Sequence, residues 1–288
     1  MAIWQAVNDW FEHNRRELPW RADGYPAWGI LVSEIMLQQT PVVRVIPRLE
    51  QWLARWPTPA DLAASSPGDA VRAWERLGYP RRALNLHSAA VAITQQHGGV
   101  VPSAVEELLA LPGIGQYTAR AVAVFAYGKR HPVVDTNVRR VLARAIDGQG
   151  DAGPASNTRD LAAMAAQLPV GDEDARVFNA AAMELGAIIC TARAPRCEVC
   201  PIAAQCAWRS AGYPAYQGTR RAVQKKYEGS DRQVRGLILA ALRDRSGAIP
   251  GTMIDDLWPD AQQRGRALDG LLSDGLVVGS PDDGYSLP

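Results

Sequence analysis

The sequence predicts an all-α fold with a small mixed α+β module at its C-terminus, and three features set that expectation. Apolar residues recur at helical spacing through most of the first 212 residues, as in Ala2 to Phe11, Val42 to Trp56 and Ala119 to Phe125. Turn signals punctuate these runs at Asp23-Gly24-Tyr25-Pro26, Trp56-Pro57-Thr58-Pro59, His97-Gly98-Gly99, and Asp147-Gly148 through Gly153-Pro154. Past the last cysteine the composition changes to Gly212-Tyr213-Pro214-Ala215-Tyr216-Gln217-Gly218 and a basic run, which reads as a linker over 211–229.

The length of 288 residues exceeds one typical domain, and 47% hydrophobic residues supply enough apolar surface for two or three cores. No apolar run reaches the length of a membrane span. Asp9, Glu12 and Arg15 interrupt the N-terminal stretch, so it lacks a signal-peptide pattern, and a cytoplasmic protein is expected. A net charge of +1 does not announce nucleic-acid binding, so local clusters must carry any such case. The candidates are Arg81 and Arg82; Arg139, Arg140 and Arg144; and Arg220, Arg221, Lys225 and Lys226, with ordinary solvated faces as the alternative for each.

In chain order, Trp28, Leu31, Val32, Ile35 and Leu37 make a mostly apolar helix that carries Glu34. A carboxyl beside such a surface has a raised pKa and is suited to donate a proton; a surface glutamate on an amphipathic helix is the bland alternative. Thr40-Pro41 reads as an N-cap followed by proline at the first helical position. Leu111-Pro112-Gly113-Ile114-Gly115-Gln116-Tyr117-Thr118-Ala119 is a glycine hairpin between two helices. Gly113 and Gly115 permit a tight turn and leave backbone N–H groups open at a helix N-terminus, where a phosphate oxygen can be received. Downstream, Pro132-Val133-Val134-Asp135-Thr136-Asn137-Val138 delivers an aspartate to a helix start, where an N-cap role alone would explain it.

All four cysteines fall in Cys190-x6-Cys197-x2-Cys200-x5-Cys206. One short knuckle flanked by two wider arms suits four thiolates around an iron–sulfur cluster, read as [4Fe-4S]; a structural zinc is the alternative. Thiols kept as ligands fit a reducing compartment. After the linker, the pattern gives helices from Asp231 to about Asp244, around Thr252 to Leu257 and from Gln262 to Ser273, then β-like pieces at Leu276 to Val278 and Tyr285 to Leu287. This is a winged-helix-like arrangement over 230–288 with its third helix in the recognition position.

Taken in order, the hairpin, the Val-Asp-Thr-Asn segment and the cysteine spacing resemble the helix-hairpin-helix (HhH-GPD) DNA glycosylases with an iron–sulfur loop, over about residues 5 to 212. That superfamily contains endonuclease III and the MutY-type adenine glycosylases. The resemblance implies a two-lobed all-α fold: a six-helix barrel domain over 22–130, and an iron–sulfur domain built from 1–21 and 131–210. Lyase-competent members resembling endonuclease III carry a lysine after the hairpin, where this chain has Tyr117, and a phenol cannot form a Schiff base. Monofunctional base excision is therefore expected. The string Ser33-Glu34-Ile35-Met36-Leu37-Gln38-Gln39-Thr40 is similar to the MutY signature.

On that resemblance Glu34 is the acid that protonates adenine N7, and Asp135 stabilises the oxocarbenium-like sugar, helped by Tyr117, with Asn137 positioning groups nearby. Gln39 and Tyr79 wedge into the duplex, while Trp20, Arg21 and Leu37 border the adenine pocket; Gly113, Gly115 and Gln116 bind DNA phosphate. The implied partner is double-stranded DNA with a mismatched or oxidised base, the cofactor is [4Fe-4S], and the protein acts as a monomer, cytoplasmic and nucleoid-associated. Rival readings are a T·G or U·G mismatch glycosylase and a non-catalytic lesion-binding protein. Three departures stand out. Pro80 replaces a second aromatic after Gly78-Tyr79, and Ala180 stands where relatives carry Glu or Gln. The roughly 60 residues after the linker are too few for the Nudix-like domain that reads 8-oxoguanine. Contacts of Arg264 and Arg266 with the duplex are expected to replace it, with partner binding as the alternative.

Overall fold

The computed structural model describes residues 2–219, 226–245 and 247–288, so Arg220, Arg221 and Lys225 of the expected basic run lie outside the described residues. The helices are α1 (Ile3–Asn14), α2 (Ala27–Leu37), α3 (Val42–Arg55), α4 (Pro59–Ala63), α5 (Pro67–Trp74), α6 (Arg81–Gln96), α7 (Val105–Ala110), α8 (Gln116–Tyr127), α9 (Thr136–Ala145), α10 (Asn157–Ala165) and α11 (Asp172–Ile188). Beyond them come the short α12 (Ala207–Ser210), then α13 (Asp231–Arg243), α14 (Gly251–Asp255), α15 (Ala261–Ser273), and a hairpin of β1 (Val278–Ser280) and β2 (Gly284–Ser286). Among the described residues no helix is long and apolar enough to cross a membrane.

The chain forms two compact units. The first comprises Met1–Ile30, Ser103–Leu109 and Ile114–Ala222. Its core is made where α11 packs against α1 and α9, with Val7 and Phe11 meeting Val138, Leu142, Phe178 and Leu185. The small face of α11 permits a close approach: a Cβ on Gly186 would stand 2.7 Å from Asn137 Cβ. Asp172, Glu173 and Asp174 occupy the first turn of α11, where the helix dipole favours negative charge.

The second unit comprises Leu31–Pro102, Ala110–Gly113 and Val223–Pro288. There α6 packs on α4 and α5, and Trp52 meets Trp56 and Trp74 edge-on at 4.6 and 5.7 Å. The turn at Thr58-Pro59 starts α4 through a capping box with Asp61. Thr40 behaves differently from expectation. Helix α3 begins at Val42 with Pro41 as its cap, and the Thr40 hydroxyl instead donates to Gln38 O (3.3 Å) and Leu77 O (3.2 Å). Loop carbonyls without helical partners outcompete the local cap there.

The C-terminal module has the expected three helices and hairpin, with its strands shifted along the chain. Leu276 and Val277 are buried in its core, so pairing begins at Val278, opposite Ser286. An added bridge joins Ile249 to Tyr285. Of the two arginines expected to meet the duplex, Arg264 pairs with Asp255 at 2.8 Å, and Arg266, more than half exposed, faces Asp231 at 3.6 Å.

Candidate active site and cluster loop

In the first unit, Asp135 caps α9. Its Oδ1 accepts from the amides of Asn137 (2.9 Å) and Val138 (2.7 Å), and its Oδ2 accepts from Asn137 Nδ2 (2.7 Å). Burial pushes the Asp135 carboxyl up, while these donors and the more distant Arg140 hold it back. The segment entering Asp135 is fixed by Asn179, which is fully buried. Its Oδ1 accepts from Val133 N at 2.7 Å, and its Nδ2 donates to His131 O and Ala175 O. Arg140 continues outward from Asn137, donating to Asn137 Oδ1 (2.8 Å), Gly186 O (2.6 Å) and Cys190 O (2.7 Å). Tyr117, on the first turn of α8, packs against Ala121, Val124 and Val133.

The hairpin enters α8 with Gly115 as its extended N-cap, and a Cβ there would meet nothing within 4 Å. The space beside Gly115 at the start of α8 is therefore clear of side chains. Gly113 has φ +74°, and a Cβ on it would stand 2.5 Å from Asn85 Cβ, so both conformation and space require glycine. The Gln116 side chain is engaged by Arg120 Nη1.

In the second unit, Glu34 is 5% exposed on α2, between the buried Val32 and Met36. Leu37, half-buried, ends that helix. Gln39 and Tyr79 are exposed, both in the left-handed region (φ +56° and +48°), and the Tyr79 hydroxyl donates to Gln39 Oε1 at 2.9 Å. Arg82 holds the two loops from beneath. Its Nη1 donates to the carbonyls of Ile35, Met36 and Gln38, and its Nη2 donates to Thr40 Oγ1 and Gly78 O. Burial draws its guanidinium pKa down to about 10. Arg82 is thus no surface cation.

Trp20 and Arg21 lie on the short turn Pro19–Arg21 of the first unit, both half-buried. Arg21 Nη2 donates to Glu184 Oε2 (2.9 Å) and its guanidinium lies 5.1 Å from the Phe11 ring. Arg16 completes the site, with Nε 2.7 Å from Glu184 Oε1.

Sequence reasoning overlooked Asn179 and Glu184, and it read Arg82 as part of a basic cluster rather than as the buried support of two loops. For those two the available signal was a polar residue on the apolar face of α11. For Arg82 the sequence shows the charge but not its burial.

The four cysteines line one pocket with Arg144, Ile202 and Trp208. Arg144, 4% exposed, donates to Thr191 O (2.8 Å) and Ala192 O (3.2 Å), reaches Cys190 Sγ at 3.4 Å, and lies 4.6 Å from the Trp208 ring. Burial pushes the Cys200 thiol up to about 11, and the neighbouring cysteine sulfurs add to it. Four sulfurs so placed repel one another as thiolates unless a cationic group neutralises them. Four soft thiolate donors lining one pocket are a donor set that holds an iron–sulfur cluster.

Residues 32–162 match the HhH-GPD superfamily of base excision DNA repair proteins, and residues 190–206 match the iron-sulfur binding domain of endonuclease III. The adenine DNA glycosylase of Mycolicibacterium smegmatis is 55% identical over 279 residues, covering 96% of this chain and 93% of its own length. This chain belongs to the adenine DNA glycosylase family. The Mycobacterium tuberculosis adenine DNA glycosylase is 52% identical over 97% of this chain and 91% of its own length. A thermostable thymine-DNA glycosylase structure matches with TM-score 0.66 and 28% identity, over 72% of this chain and 95% of that one. Membership of the adenine DNA glycosylase family makes this chain a DNA N-glycosylase of base excision repair. Cys190, Cys197, Cys200 and Cys206 are the ligands of its [4Fe-4S] cluster, which staples the loop between α11 and α12.

Proposed function

We propose that this protein flips adenine mispaired with 8-oxoguanine or guanine out of duplex DNA and removes it by hydrolysis, without strand cleavage. The observation that carries the reading is the Asp135 carboxylate. Three hydrogen bonds fix it at the start of α9, and burial keeps it poorly solvated, so it stabilises a neighbouring positive charge far better than a hydrated carboxylate would. Glu34 donates a proton to adenine N7. The C1′–N9 bond breaks with its electron pair leaving on neutral adenine, Asp135 stabilises the cationic sugar beside Tyr117, and water adds to C1′ and releases a proton. The base must leave the stack first. Gln39 and Tyr79 take its place, Trp20, Arg21 and Leu37 border it, and the amides at Gly113, Gly115 and Gln116 hold phosphate.

Tyr117 at the lyase position supports hydrolysis alone, since it supplies no amine. The domain boundaries 1–21 with 131–210, 22–130, 211–229 and 230–288 belong to this proposal, as do action as a monomer and association with the nucleoid. A T·G or U·G mismatch activity is the second reading, favoured by the fold and identity shared with the thymine-DNA glycosylase.

Single-turnover base release on duplexes carrying A opposite 8-oxoguanine, A opposite G, T opposite G and U opposite G separates the two. Fast release from the adenine duplexes alone is expected, and Glu34→Gln should slow it at least ~100-fold. Preferred release of thymine or uracil would overturn the reading.

A further inference from the structure

Helix α5 ties the C-terminal module to the loops that carry Gln39 and Tyr79, all within the second unit. Along its length α5 grips the module. Arg72 donates from Nε to Arg243 O (3.2 Å) and from Nη2 to Arg245 O (3.0 Å), and Arg243 Nε donates back to Val71 O (3.2 Å). Gly68 is buried, and a Cβ there would stand 2.3 Å from Pro288 O and 3.2 Å from Leu287 Cβ, so residues 287 and 288 are seated against this helix. At its C-terminal end, Trp74 is fully buried. Its Nε1 donates to Gly78 O at 2.9 Å, and its ring lies 5.1 Å from the Arg82 guanidinium that gathers the carbonyls beneath both loops. A second link runs outside: Asp274, just past α15, accepts from Arg81 (3.3 Å) and from Arg235 of α13.

Charge argues against a duplex-gripping role for the module. Residues 230–288 hold nine aspartates against six arginines, a net charge of −3. Such a surface repels phosphate. What the module does supply is rigidity next to two side chains that need it. Non-glycine residues in the left-handed region persist only where their surroundings over-determine them, and Gln39 and Tyr79 are both such residues.

We propose that the C-terminal module is a brace which, acting through α5 and Asp274, holds Gln39 and Tyr79 in their observed conformations before DNA arrives. A preformed pair loses less freedom on binding than a mobile one. The consequence for lesion recognition rests on the reading of these two residues as wedges. The brace itself does not.

The test uses the full-length, cluster-bearing protein with Gly68→Leu, which drives a side chain into the seat of Pro288. Leucine favours helix more than glycine does, so α5 is not weakened by propensity. Arg72→Met, which adds no bulk, gives the same readout should Gly68→Leu fail to fold. Hydrogen exchange followed by mass spectrometry should show amides of 37–40 and 77–82 exchanging at least ~10-fold faster, with 116–127 in the other unit unchanged. Faster exchange confined to 231–288 would overturn the brace. In parallel, Tyr79→Ala is measured for binding to an abasic-site duplex relative to an undamaged one. An unchanged ratio there removes the wedge reading and leaves the exchange result to decide the brace alone.

Discussion

Replacing Glu184 by Gln tests whether one buried carboxylate anchors the turn that carries Trp20 and Arg21. The side chain is 1% exposed, and its oxygens accept from Arg16 N, Nε and Nη2 and from Arg21 Nη2 at 2.7 to 3.0 Å. Burial alone would push this carboxyl up; the hydrogen bonds from Arg16 and Arg21 outweigh it and bring the pKa down to about 2 from 4.5. That gap corresponds to about 3 kcal/mol of folding stability at neutral pH. Because the folded value is the lower one, the contribution is fully present above pH 4.5 and is lost as the pH falls towards 2, leaving about 2 kcal/mol at pH 3.5. Glutamine keeps the volume, removes the charge and turns an N–H group towards the guanidinium donors. Thermal unfolding of both proteins at pH 7 should give a Tm lower by about 5–10 °C for Glu184→Gln. At pH 3.5 the difference should shrink by roughly a third. A loss of the same size at both pH values, or one under about 2 °C at pH 7, would refute the reasoning.

Three further outcomes follow from the geometry. Asn137→Ala removes a donor that restrains the already raised pKa of Asp135. The acid limb of the single-turnover rate should move to higher pH, and a uniform loss at all pH values would contradict an ionised Asp135. Tyr117→Lys places an amine at the first turn of α8, so the variant should nick DNA and be trapped covalently by borohydride; no trapping would place Tyr117 away from the sugar. Arg144→Met removes the guanidinium that gathers Gly150 O, Thr191 O and Ala192 O around the cysteine pocket. Iron per chain after chelator treatment should fall while far-ultraviolet helicity is kept, and stoichiometric iron would show that the sulfurs hold the loop alone.

The parts of this fold that can be read in the sequence are those whose information is local. Gly113 announces a turn because only glycine tolerates the space and conformation required there, and the cysteine spacing announces a cluster because thiolate ligands have few other reasons to gather. The start of α4 follows from Thr58, Pro59 and Asp61, all within one turn. What escapes local reading is any residue whose partners are distant in sequence. Thr40 reads as a cap, yet its hydroxyl serves Leu77, 37 positions away. Glu184 reads as one polar position on an alanine-rich helix, and its partners come from residues 16 and 21. The hairpin strands slid because Leu276 and Val277 satisfy both a β pattern and a buried segment, and only packing chooses between them.

The arginines show the same limit in its strongest form. Arg81 and Arg82, and Arg139, Arg140 and Arg144, read as two basic patches suited to a polyanion. In the folded chain Arg82, Arg139 and Arg144 are each under 10% exposed, and Arg140 is partly buried. Arg139 alone serves the carbonyls of Ala152, Gly153 and Pro154 as well as Asp160. A guanidinium with five fixed donors can satisfy several loop carbonyls that no helix or strand reaches, at a desolvation cost that a single ammonium would recover less well. Arg82, Arg139, Arg140 and Arg144 therefore order the loops around Gln39 and Tyr79, Asp135 and the cysteines, while Arg81 stays mostly exposed. With net charge +1 overall and a net-acidic C-terminal module, long-range attraction to DNA is weak. Discrimination between base pairs then has to come from short-range geometry at the hairpin amides and the two strained loops. Losing one inward arginine removes the shape of a loop, and with it that discrimination, more than it removes a charge.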